Sequence, residues 1–261
     1  MVNPVYSVKN YIKIMTWTKT KKTVVWGSVA VVLAAGGLTL FLERQNISDW
    51  MTVSAGQRAV AKHIATPIDM TGHYAAPASA MENSSSYWGE VPWEFQVFQH
   101  VPLQIDGIIY LWGAGNAKAG AVFPEEVTGI TVGQKFESLY VYHCTFYVSP
   151  KYTPVYDLVF RYEDGDSATN TIQYGVDTMD FNTSGGKSIK DIKGPTGHNT
   201  KIGWIGSSFS ADGKHPLLFS LTAIKNARPD ATVTSIDLVS SKKQSAGVIL
   251  AMTAGRSDLM K

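Results

Sequence analysis

With 261 residues, 44% of them apolar, the chain has room for one large domain or two small ones, and its 12 Tyr, 10 Phe and 7 Trp can furnish a large core. The net charge of +2 is unevenly placed: residues 1–42 hold five lysines (Lys9, Lys13, Lys19, Lys21, Lys22) and no acid, so the rest carries 18 of the 23 basic residues and all 21 acids. That mildly acidic remainder argues against a nucleic-acid partner, since phosphate binding needs a basic face, and the single cysteine, Cys144, excludes an intrachain disulfide.

Residues 1–23 read as a basic cytosolic tail. Val5, Val8, Ile12 and Met15 recur at helical spacing with Lys9 and Lys13 on another face, which suits either a short helix in the membrane interface or a partly ordered basic tail. Residues 24–42, VVWGSVAVVLAAGGLTLFL, then run for 19 positions without a charge. As a helix they reach about 28 Å, enough to cross the hydrocarbon of a lipid bilayer. A secretory signal has a shorter apolar core of roughly 7–15 residues, so an uncleaved anchor is expected; cleavage after Ala55 is the alternative. Lysines precede the segment while Glu43, Arg44 and Asp49 follow it. The positive-inside bias therefore keeps the N-terminus cytosolic and sends residues 43–261 across the membrane. Trp26 and Trp50 are expected interface anchors, and Ala30 and Ala34 form a small-xxx-small pair for packing against another helix. The absence of cysteine pairs fits a bacterial inner-membrane protein with a periplasmic main domain. A type IV pilin does not fit, because Lys21, Lys22 and Thr23 stand where its processing site belongs.

Residues 43–92 are expected to carry a juxtamembrane helix and then a tether, with Pro67, Pro77 and Pro92 and the run ENSSS at 82–86. From residue 93 to 255 the character changes to short β-branched and aromatic runs: EFQVFQ, LQIDGIIYLW, EVTGITV, FESLYVYHCTFYV, PVYDLVFRYE, TNTIQYG, PLLFSLTAI, TVTSIDLVS and AGVILAMTA. Without intervening amphipathic helices, these nine segments predict a mainly β fold, an antiparallel β-sandwich or jelly roll, ahead of a short tail at 256–261. In YDLVFRY, Leu158 and Phe160 should face one way and Val159 and Arg161 the other.

The chemically suggestive motifs mostly dissolve on inspection. His143 and Cys144 are neighbours in a strand and should point to opposite faces, so they make no catalytic dyad. EDGDSATN joins two strand-like runs, and Asp164-Gly165 is a strong turn signal. It reads as a solvated hairpin tip, with a cation at Asp164 and Asp166 as the lesser reading, since the rest of a calcium-loop pattern is missing. NTSGGKS lacks the first glycine of a phosphate loop because that place is Phe181; residues 181–202 read instead as a long loop. His63, His73, His100, His143, His198 and His215 show no metal-binding spacing, and Ser207 and Ser208 lack the complete G-x-S-x-G elbow. No catalytic residue, metal site or cofactor is expected. Trp88, Trp93, Trp112 and Trp204 fall in or beside expected loops, either as platforms for a glycan or protein partner or as core filling.

Three blocks, FPEEVTGITVGQKFESLYVYHCT, YEDGDSATNTIQYGVDTMDF and TAIKNARPDATVTSIDLVSSKKQSAGVILAMTAG, carry a family likeness over about residues 100–254. Their pattern is Gly129, Ile130, Gly133 and Lys135, then Asp164-Gly165 with Tyr174, Gly175 and Asp177, then Asn226, Arg228, Pro229 and Asp230 before Ser235, Ile236 and Asp237. It resembles a β-sandwich domain of uncharacterised membrane-anchored and secreted proteins of Verrucomicrobia and related bacteria, some described as FecR-like or anti-sigma. The resemblance implies a galactose-binding-like fold, often used to hold glycans, without catalysis. Two places depart from the pattern: Ala227 stands where proline is expected, and an aromatic pair expected soon after Asp177 is MDF.

The expected function is therefore a non-catalytic single-pass membrane protein whose periplasmic β-sandwich contacts integral membrane subunits, as an accessory or assembly subunit. A membrane-anchored glycan or cell-wall carbohydrate-binding module is the alternative. An anti-sigma-like signalling protein ranks third, because residues 1–23 are too short for a folded sigma-binding domain.

Overall fold

The computed structural model describes residues 65–81, 88, 91–182, 192–210 and 213–260. Among them no helix is long and apolar enough to cross a membrane; the expected span 24–42, with Trp26, Ala30, Ala34 and Trp50, lies outside the described residues. The described chain is built from β1 (Ala65–Pro67), β2 (Ala76–Pro77), α1 (Ala78–Met81), β3 (Glu94–Phe98), β4 (Val101–Ile105), β5 (Gly107–Tyr110), α2 (Ala114–Lys118), β6 (Glu126–Gln134), β7 (Ser138–Phe146), β8 (Pro154–Tyr162), β9 (Ser167–Gln173), β10 (Thr200–Ser210), β11 (Gly213–Lys225), β12 (Val233–Ser240) and β13 (Ala246–Gly255).

The strands pair antiparallel. A seven-stranded sheet runs β10-β11-β7-β13-β5-β2, with β1 also on β13; a four-stranded sheet runs β6-β12-β8-β9; β3 and β4 form a separate hairpin. Ile109, Leu139, Val141, Ile249 and Met252 of the large sheet share one apolar core with Ile130, Leu158, Phe160, Ile172 and Ile236 of the small one. The two sheets thus face each other as in a β-sandwich. Along β8 the expected alternation holds: Leu158 and Phe160 are buried, Val159 is half-buried and Arg161 is exposed.

A second core covers the other face of the large sheet. Tyr140, Tyr142, Cys144, Leu217, Phe219, Leu221, Val248 and Leu250 meet Trp88, Trp93, Phe98, Val101, Leu103 and Ile105 there. Every residue of β7 and of β13 except the last is therefore buried. A strand covered on both sides has no polar face to alternate with, which explains their continuous apolar sequence.

Three sequence expectations change. Residues 65–81 are not tether: β1 pairs with β13, β2 with β5, and Ile68 and Met70 enter the first core. LQIDGIIYLW holds two strands, β4 and β5, broken at Asp106. The expected loop at 181–202 gives way at Thr200 to strand β10, which no sequence run had marked. A Cβ at Gly206 would lie 1.8 Å from the Trp204 ring, so this glycine lets the indole lie across the edge strand.

The ends of the sandwich differ. At one end, where β7 begins and β8 turns into β9, Gly165 takes φ +89 and its N–H donates to Tyr162 O at 3.0 Å, closing the expected turn. Asp164 and Asp166 are not simply solvated, because both are ion-paired to Arg228. The Arg228 guanidinium lies over the Tyr162 ring, 4.6 Å from its centroid. Beneath it the fully buried Asn226 accepts from Tyr162 Oη at 2.7 Å and from Arg228 N at 3.0 Å, and donates to Phe136 O at 3.0 Å. Asp164, Gly165, Asn226 and Arg228 thus build a turn and this latch.

Replacing Asn226 by Ala strands a buried hydroxyl, an amide and a carbonyl. Asn226→Ala should lower unfolding stability by about 2–3 kcal/mol, read as a fall of roughly 5–10 °C in thermal midpoint for a domain of this size.

Candidate functional site

The four tryptophans expected as platforms are placed differently from one another. Trp88, Trp93 and Trp204 are 5%, 7% and 8% exposed and belong to the second core. Trp88 stacks on Phe181 at 5.7 Å and meets Phe146 edge-on at 6.0 Å, and Trp204 packs against Phe219 at 5.4 Å. Buried in that core, none of the three presents an open ring face to a ligand. Trp112 is half-buried between β5 and α2, its backbone tied to Pro124 O and Ser240 Oγ.

His143 and Cys144 do point to opposite faces, and both are fully buried. Cys144 lies in the second core, and burial raises its thiol well above the ordinary value, which holds it protonated and inert. His143 sits between the sheets in a directional chain. Thr222 has one hydroxyl hydrogen and gives it to Asp177 O at 2.7 Å, so His143 Nε2 donates to Thr222 Oγ1 at 2.9 Å. Nδ1 of the neutral ring then accepts from Tyr156 Oη at 2.5 Å. Burial holds the His143 pKa at about 3, against a smaller opposing contribution from the Asp177 backbone. Among the described residues no group of three His, Cys, Asp or Glu side chains could hold a metal ion.

Two shallow grooves of about 430 and 390 Å³ flank the strap at 66–74. Their carboxylates already accept local hydrogen bonds: Gln104 Nε2 donates to Asp106 Oδ1 at 2.7 Å, and Asp69 Oδ1 accepts from Thr71 N at 2.9 Å.

The end of the sandwich opposite the latch is more informative. There β7 runs out into residues 147–153, which lead back to β8; the 111–125 and 241–245 connections and the 174–182 segment cluster around them. The large hydrophobic side chains exposed among the described residues are Val122 (83%), Tyr147 (39%), Val148 (67%) and Tyr152 (61%), and all four lie at this end. Val122 precedes Phe123, whose ring stacks on Phe146, the last residue of β7.

This apolar loop is held firmly. Ser245 Oγ donates to Tyr147 O at 2.6 Å, which leaves the buried Ser149 hydroxyl to donate to Ser245 Oγ at 2.6 Å. Tyr152 N donates to Tyr174 O at 2.9 Å. Tyr147 lies so close to α2 that a Cβ at Gly115 would come within 2.5 Å of its ring. Lys151 Nζ sits 4.9 Å from the Tyr152 ring centroid. Tyr147 and Tyr152 both take left-handed backbone, φ +66 and +72. For a side chain as bulky as tyrosine such a conformation costs on the order of 1 kcal/mol or more and persists only where the surroundings impose it. Asp180, half-buried behind the loop, accepts from Asn182 N at 2.8 Å and from the backbone of Tyr147; burial outweighs these bonds and raises its pKa to about 6.

Sequence reasoning missed Tyr147 and Val148 of YVSPKYT because they were read as the tail of the run FESLYVYHCTFYV, and Tyr152 because it lies between that run and the next. The available signal was the Ser-Pro turn inside it: apolar residues on both sides of a turn have left the alternating register. Comparison with protein-family models, curated proteins and solved structures finds no match for this chain.

The buried groups fix a pH dependence. His143 has a folded pKa near 3 against an ordinary 6.5, so the unfolded chain binds the extra proton between these values. Its contribution is whole above pH 6.5 and is lost on acidification, by up to about 1.4 kcal/mol per pH unit. Asp180, raised from 3.8 to about 6, acts in the opposite sense: its contribution is whole below 3.8 and is lost as pH rises to 6. Asp177, raised by burial, adds to Asp180. Thermal midpoints from pH 7 to pH 4 should therefore fall gently in the native protein and more steeply in Asp180→Asn.

Proposed function

We propose that this chain is a non-catalytic, membrane-anchored binding protein whose β-sandwich engages a protein partner through residues 147–153 and their surroundings, as an accessory subunit of a membrane complex. One observation carries the reading: the exposed large hydrophobic side chains gather at one end of the domain, three of the four on a tightly held loop. Isolated exposed apolar residues are ordinary, whereas a rigid cluster containing two tyrosines has the composition of an interface centre.

Two further features support it. Tyrosine loses little conformational freedom on contact, and here the backbone is already committed, so ordering costs on binding are small. The aliphatic side chains Val122 and Val148 suit an apolar partner surface and contribute little to a sugar, which needs flat rings edged by hydrogen-bonding groups. Anchorage by residues 24–42 and a periplasmic location enter the proposal from the charge pattern of the sequence, as does the galactose-binding-like family.

The test is purification of tagged full-length protein from native membranes in mild detergent, beside Tyr152→Ala. Stoichiometric recovery of integral membrane subunits with the native chain, and their loss with Tyr152→Ala at unchanged thermal midpoint, is the expected result. Recovery of the native chain alone, together with Tyr152-dependent binding on a polysaccharide array, would replace this reading by the glycan one.

A further inference from the structure

We infer that the partner surface received at the 147–153 end is acidic around an apolar centre. The inference rests on the docking reading above and adds the partner's chemistry.

The charge around the loop supports this. Residues 65–261 carry 15 basic and 19 acidic side chains, so the domain as a whole is acidic. Around the tyrosines the balance differs. Lys118 on α2, Lys151 in the loop and Lys243 in the 241–245 connection are exposed, and none has an ion-pair partner among the described residues. All three are tied to the same place: Gly115 of α2 touches Tyr147, Lys151 adjoins Tyr152, and Lys243 O accepts from Ala114 N at 2.8 Å.

The carboxylates nearby are mostly committed. Glu125 is paired with Lys242. Asp177 and Asp180 are half-buried and accept from the backbone N–H groups of Gln173 and Asn182, at 2.9 and 2.8 Å. Glu126, the first residue of β6, is the remaining exposed acid beside these connections. Unpaired ammonium groups rimming an apolar centre favour a partner with carboxylates at the matching rim and disfavour a basic one.

The experiment uses the full-length protein in mild detergent, selected against a phage-displayed random peptide library. Enriched peptides should combine net negative charge with an aromatic or aliphatic residue. Their binding should be lost with Tyr152→Ala, and weakened at least about tenfold when Lys118, Lys151 and Lys243 are together changed to Gln, with a matching loss on raising salt. Thermal midpoints of both variants serve as the folding control. Peptides that need Tyr152 but are neutral or basic, and ignore the lysine changes, would overturn the acidic-partner inference while leaving the docking surface in place. A selection yielding no Tyr152-dependent peptide would overturn both, and Tyr152-dependent binding to alginate in its place would assign the lysines and tyrosines to an anionic glycan.

Discussion

Burial of the seven-stranded sheet on both faces is the constraint on which the rest of the molecule depends. β7 and β13 lie at its centre with apolar side chains directed both ways, so two covering layers are needed. The four-stranded sheet supplies one. The β3–β4 hairpin, Trp88, Trp93, Phe181 and the C-terminal Met260 supply the other. The aromatic richness of the sequence is used there: a run of rings from Trp204 through Phe219, Trp88, Phe181 and Phe146 to Tyr110 and Phe123 crosses the outer face. Large rings cover a broad sheet with few residues, which suits a layer made of one hairpin and connecting segments.

Polar groups that enter this interior are tied by specific bonds. His143 is tolerated between the sheets because Tyr156, Thr222 and the Asp177 carbonyl satisfy it as a neutral ring. Asn226 closes the latch end by the same logic, with Arg228 joining that corner to the β8–β9 hairpin from outside. One end of the sandwich is thereby sealed with paired charges, while the other presents apolar side chains to solvent. This polarity, more than any cleft, distinguishes the domain.

Much of the fold was legible in the sequence because its β-branched and aromatic runs are separated by turn residues, and some alternate, as β8 does through Leu158, Phe160 and Arg161. What was not legible has local causes. The β3–β4 turn is Gln99-His100, both with positive φ, where Asn-Gly is the usual signal. Strand β10 was hidden by glycines whose purpose is to admit neighbouring rings, the Trp204 indole at Gly206 and Tyr142 at Gly203. The early strands were hidden by Pro67 and Pro77, which sit at strand ends where no ladder N–H is needed. For the functional surface the sequence pointed to tryptophan in expected loops; the second core claims three of the four. Exposure depends on which loops a covering layer reaches, and that is a property of the tertiary structure that no local pattern encodes.

The loop end thus combines what a docking surface requires: apolar side chains in the open, a backbone already ordered, and unpaired cations at the rim. Hydroxyl-radical footprinting of the full-length protein, first in its native membrane and then after purification, tests this most directly. Tyr147 and Tyr152 should be protected in the membrane and become reactive once the protein is purified, while Trp88, Trp93 and Trp204 stay equally protected in both. Tyrosines equally reactive in both preparations would mean that nothing occupies this end, and would contradict its assignment as the binding surface.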